Sequence, residues 1–330
     1  MRLFENANYD ILGKRKLAYL VTALFIGAGL VALVVRGINY SVEFTGGTLF
    51  RIATTEAVDV ARLRNGLEQQ GITGAEIQSF GSDREFMIRA RVAREGTDAN
   101  DTQATADAVK SALDAAVGTG SYRLLKREAV GPKVGGELRE KAVIAILLSF
   151  LATLGYLAIR FEWRFGLAAI AATAHDILAT LAFIALLRIE VSLFVVAALL
   201  SIVGYSLNDT IVIFDRVREN LHKLKHEGFA AILNRSVNET LPRTVLTGGT
   251  ALGTLIALEI LGGDVVRPFA LIMLFGVVVG TFSSIFVASP ILLAIEQRWP
   301  GPHARGTRAP VRPGAPGAPP AGGRKAQPVG

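Results

Sequence analysis

The residues of this chain best suited to chemistry are a few ionisable groups set in apolar surroundings. Asp209 stands in Ser201-Ile-Val-Gly-Tyr-Ser-Leu-Asn-Asp-Thr-Ile-Val-Ile-Phe-Asp215, at the end of an apolar run that opens at Val191. His175 and Asp176 are neighbours near the middle of the preceding run. Arg243 opens a later run, and Glu259 lies near its far end. An ionised carboxylate at the centre of a membrane helix costs about 2.5–3.5 kcal/mol on insertion scales. A chain that keeps one either uses it or buries it against a partner. Ser201, Tyr205, Asn208 and Asp209 recur at three-to-four spacing, which predicts one helix face turned to the bundle interior. A carboxylate that gains and loses a proton or small cation there, opposed by an arginine, can couple that event to a change of conformation. On this reading Asp209, Arg243, Asn208, Asp176 and His175 form an ion or proton relay. The plain alternative is a carboxylate that only hydrogen-bonds Ser, Tyr or Asn side chains and locks helices together.

Other chemistries fail on inventory. The sequence has no cysteine and four scattered histidines, so no metal centre is expected. Gly131-Pro-Lys-Val-Gly-Gly136 lacks the ending of a phosphate loop and reads as a breaker segment. Neither a Gly-x-Ser-x-Gly elbow nor a His-Glu-x-x-His helix is present. No motif supports pairing His175 with Ser201 or Ser206 as an intramembrane protease. The expectation is a protein that is not an enzyme and carries no cofactor.

The elements that must position these groups are membrane helices. The chain has 330 residues, 51% of them hydrophobic, with a mean hydropathy of +0.42, which points to a polytopic α-helical membrane protein. Leu17–Val35 is an uncharged run of 19 residues after Lys14-Arg15-Lys16. That is too long for a signal peptide and lacks a cleavage site, so it predicts an uncleaved first helix (17–35) behind a short N-terminal segment (1–16). Five further apolar runs follow: Ala142–Ile159, Phe165–Leu187, Val191–Phe214, Val245–Leu261 and Phe269–Ile295. They make a five-helix region over 142–295, with a polar, partly amphipathic loop at 216–243 along the membrane surface. The net charge of +7 does not indicate nucleic acid, because the basic residues gather at the edges of the runs. Their distribution satisfies the positive-inside rule with both termini cytoplasmic. Residues 296–330, rich in Pro, Gly, Ala and Arg, read as a disordered basic tail.

Between the first two helices, residues 36–141 are charged and alternating. Strand-like Ser41–Ala53 leads to a helix with Val60, Leu63 and Leu67 on one face. Strand-like Ala75–Phe80 and Glu85–Val92 flank a Gly81-Ser82-Asp83 turn, a second helix covers Ala104–Val117, and Ser121–Val130 closes. The order βαββαβ predicts one extracytoplasmic α+β domain of ferredoxin-like type. Small residues predict helix contacts: Gly249-xxx-Gly253 in the fifth membrane helix, and Gly276-xxx-Gly280-xxx-Ser284 in the sixth.

The signature Ser201–Asn220 resembles that of the SecF family, part of the SecD/SecF translocase group in the resistance-nodulation-division superfamily. Glu43-Phe-Thr-Gly-Gly-Thr48, Val130-Gly-Pro-Lys-Val-Gly135, His175-Asp176 and Gly276–Ala288 fit the same family, and the likeness runs from about Phe4 to Ile295. One departure is Glu43, where Asp is the more usual residue. The resemblance implies an accessory subunit in a bacterial plasma (inner) membrane, paired with SecD. It also implies partnership with the SecYEG channel, SecA and YajC, and contact with a translocating preprotein. In that setting Asp209 and Arg243 serve proton (or sodium) passage, while Glu43, Phe44, Gly46 and Gly47 form a motif loop. The competing functions are a small-molecule exporter of the same superfamily and a scaffold that conducts nothing. Six helices and one external domain argue against a self-sufficient pump.

Overall fold

The computed structural model describes residues 8–72, 75–79, 82–90 and 102–301. Residues 1–7 and 302–330, which include most of the expected tail, lie outside them, as do Phe80, Gly81, Arg91 and Val92 of the expected strands and turn. Among the described residues six helices are long and apolar enough to cross a membrane. They are α1 (Arg15–Arg36), α5 (Pro132–Arg160), α6 (Trp163–Leu186), α7 (Leu193–Lys223), α8 (Phe229–Leu261) and the span from α9 (Gly263–Ser283) to α10 (Ser289–Arg298). The shortest, α1, is about 33 Å long at 1.5 Å per residue, enough for a hydrocarbon core of about 30 Å.

Between α1 and α5 lie a short turn of helix, α2 (Val42–Thr45), and the domain β1 (Gly47–Thr54), α3 (Val60–Gln69), β2 (Glu76–Ser79), β3 (Glu85–Ala90), α4 (Thr102–Val117), β4 (Tyr122–Val130). The strands pair antiparallel in the order β2-β3-β1-β4, the topology of a ferredoxin-like sheet. Phe50 faces Ile88 and Ile52 faces Phe86 across β1 and β3. Together with Leu63, Leu67, Val109 and Leu113 from the two helices they make a closed apolar core. Asp59 caps α3 by accepting a hydrogen bond from the Ala61 N–H at 2.9 Å. Tyr122, at the head of β4, donates its hydroxyl to Asp114 Oδ1 at 3.0 Å. Partial burial, then this bond and the Asp114 charge, push the phenol up to about 12 from an ordinary 10.0. Because the folded value is the raised one, the contribution to stability is complete below about pH 10 and disappears as pH rises through 12. Tyr122, the one tyrosine in the sequence between 47 and 130, is therefore expected to ionise well above pH 10. Asp114→Asn should bring its titration back toward 10, read as the 295 nm absorbance difference against Tyr122→Phe.

The bundle is unevenly packed. α6, α7 and the α9–α10 span form its centre, whereas α1, α5 and α8 lie against it with most of their apolar surface outward. Close approach has specific causes. A Cβ on Gly276 would stand 2.2 Å from Ile202 Cδ1, and one on Gly280 would stand 3.0 Å from Ser206 Cβ, so these two glycines let α9 press against α7. A Cβ on Gly29 would stand 2.1 Å from Ala182 Cβ, which joins α1 to α6 in the same way. Gly249 and Gly253 do not pack on a neighbouring helix as expected, since a Cβ on either meets nothing within 4 Å. Their stripe looks outward from α8, and the buried glycine of that helix is Gly248.

Four further sequence expectations are corrected. The breaker 131–136 is the first turn of α5, which opens at Pro132, where a missing N–H costs nothing. The loop 216–243 is helical except at 224–228, because α7 and α8 both run well past their apolar stretches. Arg216 joins the α7 extension to that of α8 through Glu239 at 2.6 Å, and also pairs with Glu219 on its own helix at 2.6 Å. The last membrane helix is broken between α9 and α10 by a π turn, Ser284–Ala288, in which the Ser289 hydroxyl donates to the Ser284 carbonyl at 3.0 Å. The tail begins later than 296: Glu296 is buried, accepts from the Gly301 N–H at 2.6 Å and lies 3.3 Å from Arg164.

Candidate functional site

Two buried carboxylates lie at neighbouring levels of α7: Asp176 of α6 beside Ser206, and Asp209 of α7 one turn further on. Asp176 of α6 is 1% exposed. Its Oδ2 accepts hydrogen bonds from the Ser206 hydroxyl of α7 and, at 2.7 Å, from the Ser283 hydroxyl of α9. Its Oδ1 pairs with His175 Nδ1 at 2.9 Å. One side chain thus joins three helices, next to the π turn that follows Ser283. His175 Nε2 is shut from solvent and has no hydrogen-bond partner among the described residues.

Asp209 follows Ser206 by three residues, is 3% exposed, and is built differently. Its Oδ2 has no hydrogen-bond partner among the described residues. Thr281 of α9 adjoins the carboxylate, and the Arg243 charge on α8 reaches it, yet neither closes a well-formed bond. Thr281 Oγ1, Thr244 Oγ1 and Tyr205 Oη are likewise buried and unsatisfied. Gly248 leaves room beside them, since a Cβ there would stand 3.4 Å from Thr281 Oγ1 and 3.9 Å from Tyr205 Oη. Unsatisfied buried polar atoms in low dielectric cost about 1–3 kcal/mol each. A cluster of them around a carboxylate is suited to a transient guest, a proton carried on water or a small cation, rather than to locking helices.

The expected relay is brought together only in part. Asp209, Asp176 and His175 are interior. Arg243 follows the helix proline Pro242 and is exposed, acting on Asp209 at a distance rather than in contact. Asn208 and Ser201 are exposed and share the outward stripe of α7. The interior stripe is Ile202, Ser206, Asp209 and Ile213. Ser206, considered in the sequence only as a partner of His175, and Ser283, not singled out there, both bond Asp176, because a serine in a membrane helix gives no sign of its partner until the neighbouring helices are placed. Glu259, left without a role by the sequence, lies 3.3 Å from Arg267. No group of His, Cys, Asp and Glu that could hold a metal occurs among the described residues.

The motif loop sits on the helix that carries Asp209. Glu43 Oε2 accepts from the Leu193 N–H at 2.7 Å and from Ser41 Oγ at 3.3 Å, so an anion caps the N-terminus of α7. Backbone bonds from Ser41 N to Val191 O (3.0 Å) and from Val191 N to Asn39 O (2.7 Å) fasten the same junction. Gly46 (φ +71°) and Gly47 (φ +116°) turn the chain from α2 into β1, and Gly135 of α5 packs on the Gly46 backbone. Phe44 is buried, edge-on to Tyr40. A second link joins the sheet to the loop before α7: Arg89 donates to Glu190 at 2.8 Å and to Glu76 at 3.0 Å. Burial pushes the Glu190 carboxyl above its ordinary range against the pull of Arg89. Removing the cap with Glu43→Ala is expected to cost about 1 kcal/mol, and Glu43→Gln less, because it keeps an acceptor. Denaturant unfolding in detergent measures both.

Two family descriptions match the chain. One is "Protein export membrane protein SecD/SecF, C-terminal", over residues 109–298. The other is the SecD/SecF GG motif, over residues 31–58, which takes in the motif loop. The chain is similar to protein translocase subunit SecF of Gemmatimonas aurantiaca, 52% identical over 318 residues, 95% of each chain. The corresponding subunit of Magnetococcus marinus is 43% identical over 90% of this chain and 95% of the relative. Among solved structures, SecDF of Thermus thermophilus, described as a translocon-associated membrane protein, superposes with a TM-score of 0.78 at 38% identity. That match covers 90% of this chain and 40% of the longer one.

Proposed function

The chain belongs to the SecD/SecF family of protein export membrane proteins, among its SecF translocase subunits, and we propose that it couples ion movement through the α7 polar layer to late steps of preprotein translocation. The observation that carries this is Asp209, a buried carboxylate among unsatisfied hydroxyls, on a helix whose far end is capped by the loop leading to the sheet domain. Gain or loss of a charge at Asp209 alters how α7 packs on α8 and α9, and Glu43 and Arg89 pass a shift of α7 to the sheet. Asp176 and His175 hold a second protonatable position on the same helix interface.

The reading is of a transport component, not an enzyme. It works with SecD, beside the SecYEG channel and SecA, with YajC as a further neighbour and the emerging polypeptide as its load. Fusion of both halves in one chain in the Thermus relative supports SecD as partner, as do the outward apolar faces of α5 and α8. The positive residues at the end of the bundle away from the sheet support cytoplasmic termini, an inner-membrane site and an extracytoplasmic sheet domain. The ion is a proton or sodium, since one carboxylate serves either. The exporter alternative finds no support among relatives named as translocase subunits.

The test is a precursor arrested midway, after ATP exhaustion, in membrane vesicles stripped of SecD and this chain and then given both back. An imposed proton or sodium gradient is expected to complete the crossing, and whichever gradient works names the ion. Completion at the same rate with no gradient would leave only the scaffold role.

A further inference from the structure

At the sheet-domain end of the bundle, helices α1, α5, α6 and α7 do not close on one another. They leave a crevice of about 210 Å³ whose walls include Leu33, Ile146, Leu181, Ile184 and Leu199. Arg139 and Arg188 are also among its lining residues, and both are exposed. The Arg139 guanidinium lies 6.0 Å from the Tyr40 ring centroid, and Arg188 Nη1 donates to the Arg36 carbonyl at 2.9 Å. Neither meets a carboxylate among the described residues. The apolar stretches of α1 and α6 end at Val35 and Leu187, so Leu33, Ile146, Leu181, Ile184 and Leu199 wall the crevice on the hydrocarbon side, and Asn39, Tyr40, Arg139 and Arg188 line it at headgroup depth.

A second observation concerns the backbone at Arg188. The Ile189 N–H bonds the Ile184 carbonyl at 3.0 Å, and the Arg188 N–H bonds that of Ala185 at 3.4 Å. This is a Schellman ending to α6, with Arg188 in the slot that glycine normally fills. Its φ is +55°, and it is the only non-glycine residue with positive φ among those described. A bulky cation held where glycine would be less strained is accounted for by its guanidinium, not by the turn.

We propose that this crevice is a site for one anionic phospholipid of the adjoining leaflet, with an acyl chain between α1, α5 and α6 and the phosphodiester on Arg139 and Arg188. Two cations that meet no carboxylate among the described residues, set over an apolar slot, complement one phosphate over one chain, and planar guanidinium forks bind phosphate oxygens in pairs. The inference requires that the chain span a bilayer, and is independent of ion coupling at Asp209.

The complex of the full chain with SecD, in detergent, is titrated with phosphatidylglycerol and separately with phosphatidylethanolamine, and followed by native mass spectrometry. One phosphatidylglycerol is expected to remain bound under conditions that strip phosphatidylethanolamine. Arg139→Gln with Arg188→Gln should weaken retention about tenfold, as loss of a charge-assisted contact does. Arg188→Gly relieves the strained φ, so it should weaken lipid retention, by less than the double change, with no fall in melting temperature; a structural role would predict the reverse. Ala142→Phe keeps both arginines but narrows the slot one turn from Arg139, and should also displace the lipid. Equal retention of the two lipids would mean an unselective annulus. Undiminished phosphatidylglycerol in Arg188→Gly or Ala142→Phe, or binding by the chain alone but not by the SecD complex, would equally overturn the proposal.

Discussion

Asp209→Asn is expected to reduce gradient-driven completion of export to the level seen without the subunit, about tenfold or more, while the variant still assembles with SecD. The substitution keeps the shape of the side chain and removes only its charge and its ability to take up and release a proton. Neutralising a buried carboxylate removes the cost of holding a charge in low dielectric. The Asp209 Oδ2 atom makes no hydrogen bond that the amide would lose. Stability of the bundle should therefore hold or rise, and a loss of activity could not be laid to misfolding. The measurement pairs the arrested-precursor assay with co-purification of SecD. Full gradient-dependent completion by the variant would end the relay role of Asp209 and favour the helix-locking alternative.

Gly29→Leu is expected to be the most damaging single change in the bundle outside the polar layer. Even the Cβ it introduces would lie 2.1 Å from Ala182 Cβ and 2.4 Å from Ala182 Cα, and the latter is backbone that no rotamer can move. α1 must part from α6, and the ring contact of Phe25 with Phe275 (5.7 Å between centroids) is lost with it. Overpacking of this kind costs about 3 kcal/mol, a shift of roughly 5–10 °C in melting temperature for a chain of this size. Ala182→Gly should restore only part of the loss, because the Cα remains in the way. Thermal unfolding in detergent of the single and double variants measures both; a melting temperature within a degree of the parent for Gly29→Leu would show that α1 is not seated on α6.

Much of the architecture could be read from residue types. The apolar runs locate six helices because a membrane span must be long and uncharged, and the alternating stretch 41–130 orders the sheet because period-two patterns survive with one face buried. Less of the site was legible, for a physical reason. In a membrane helix both faces are apolar, so sequence contrast does not mark the interior: Asn208 and Ser206 look equivalent until α9 is placed. Glycine has the same ambiguity, since Gly29 is at a contact and Gly249 is not, with nothing in their neighbours to separate them. The partner of Glu43 is a backbone N–H 150 residues away, beyond any local pattern. The stretch 216–243 is helix rather than loop except at 224–228, and Arg216, read as a membrane-edge signal, also bonds Glu219 one turn along α7 and Glu239 across that break.

The junction at Val191 also sets a timetable. Asn39 and Ser41 bond a residue that leaves the ribosome some 150 positions later, and Gly29 meets Ala182 after a similar interval. The sheet domain can fold on its own core well before either contact exists. α1 must then wait at the membrane, unseated, until α6 and the start of α7 have been inserted. Long-separation contacts close late in synthesis and leave apolar surface exposed meanwhile. Variants that slow insertion of α6 or α7 should accordingly be cleared by proteases before any defect in export is seen.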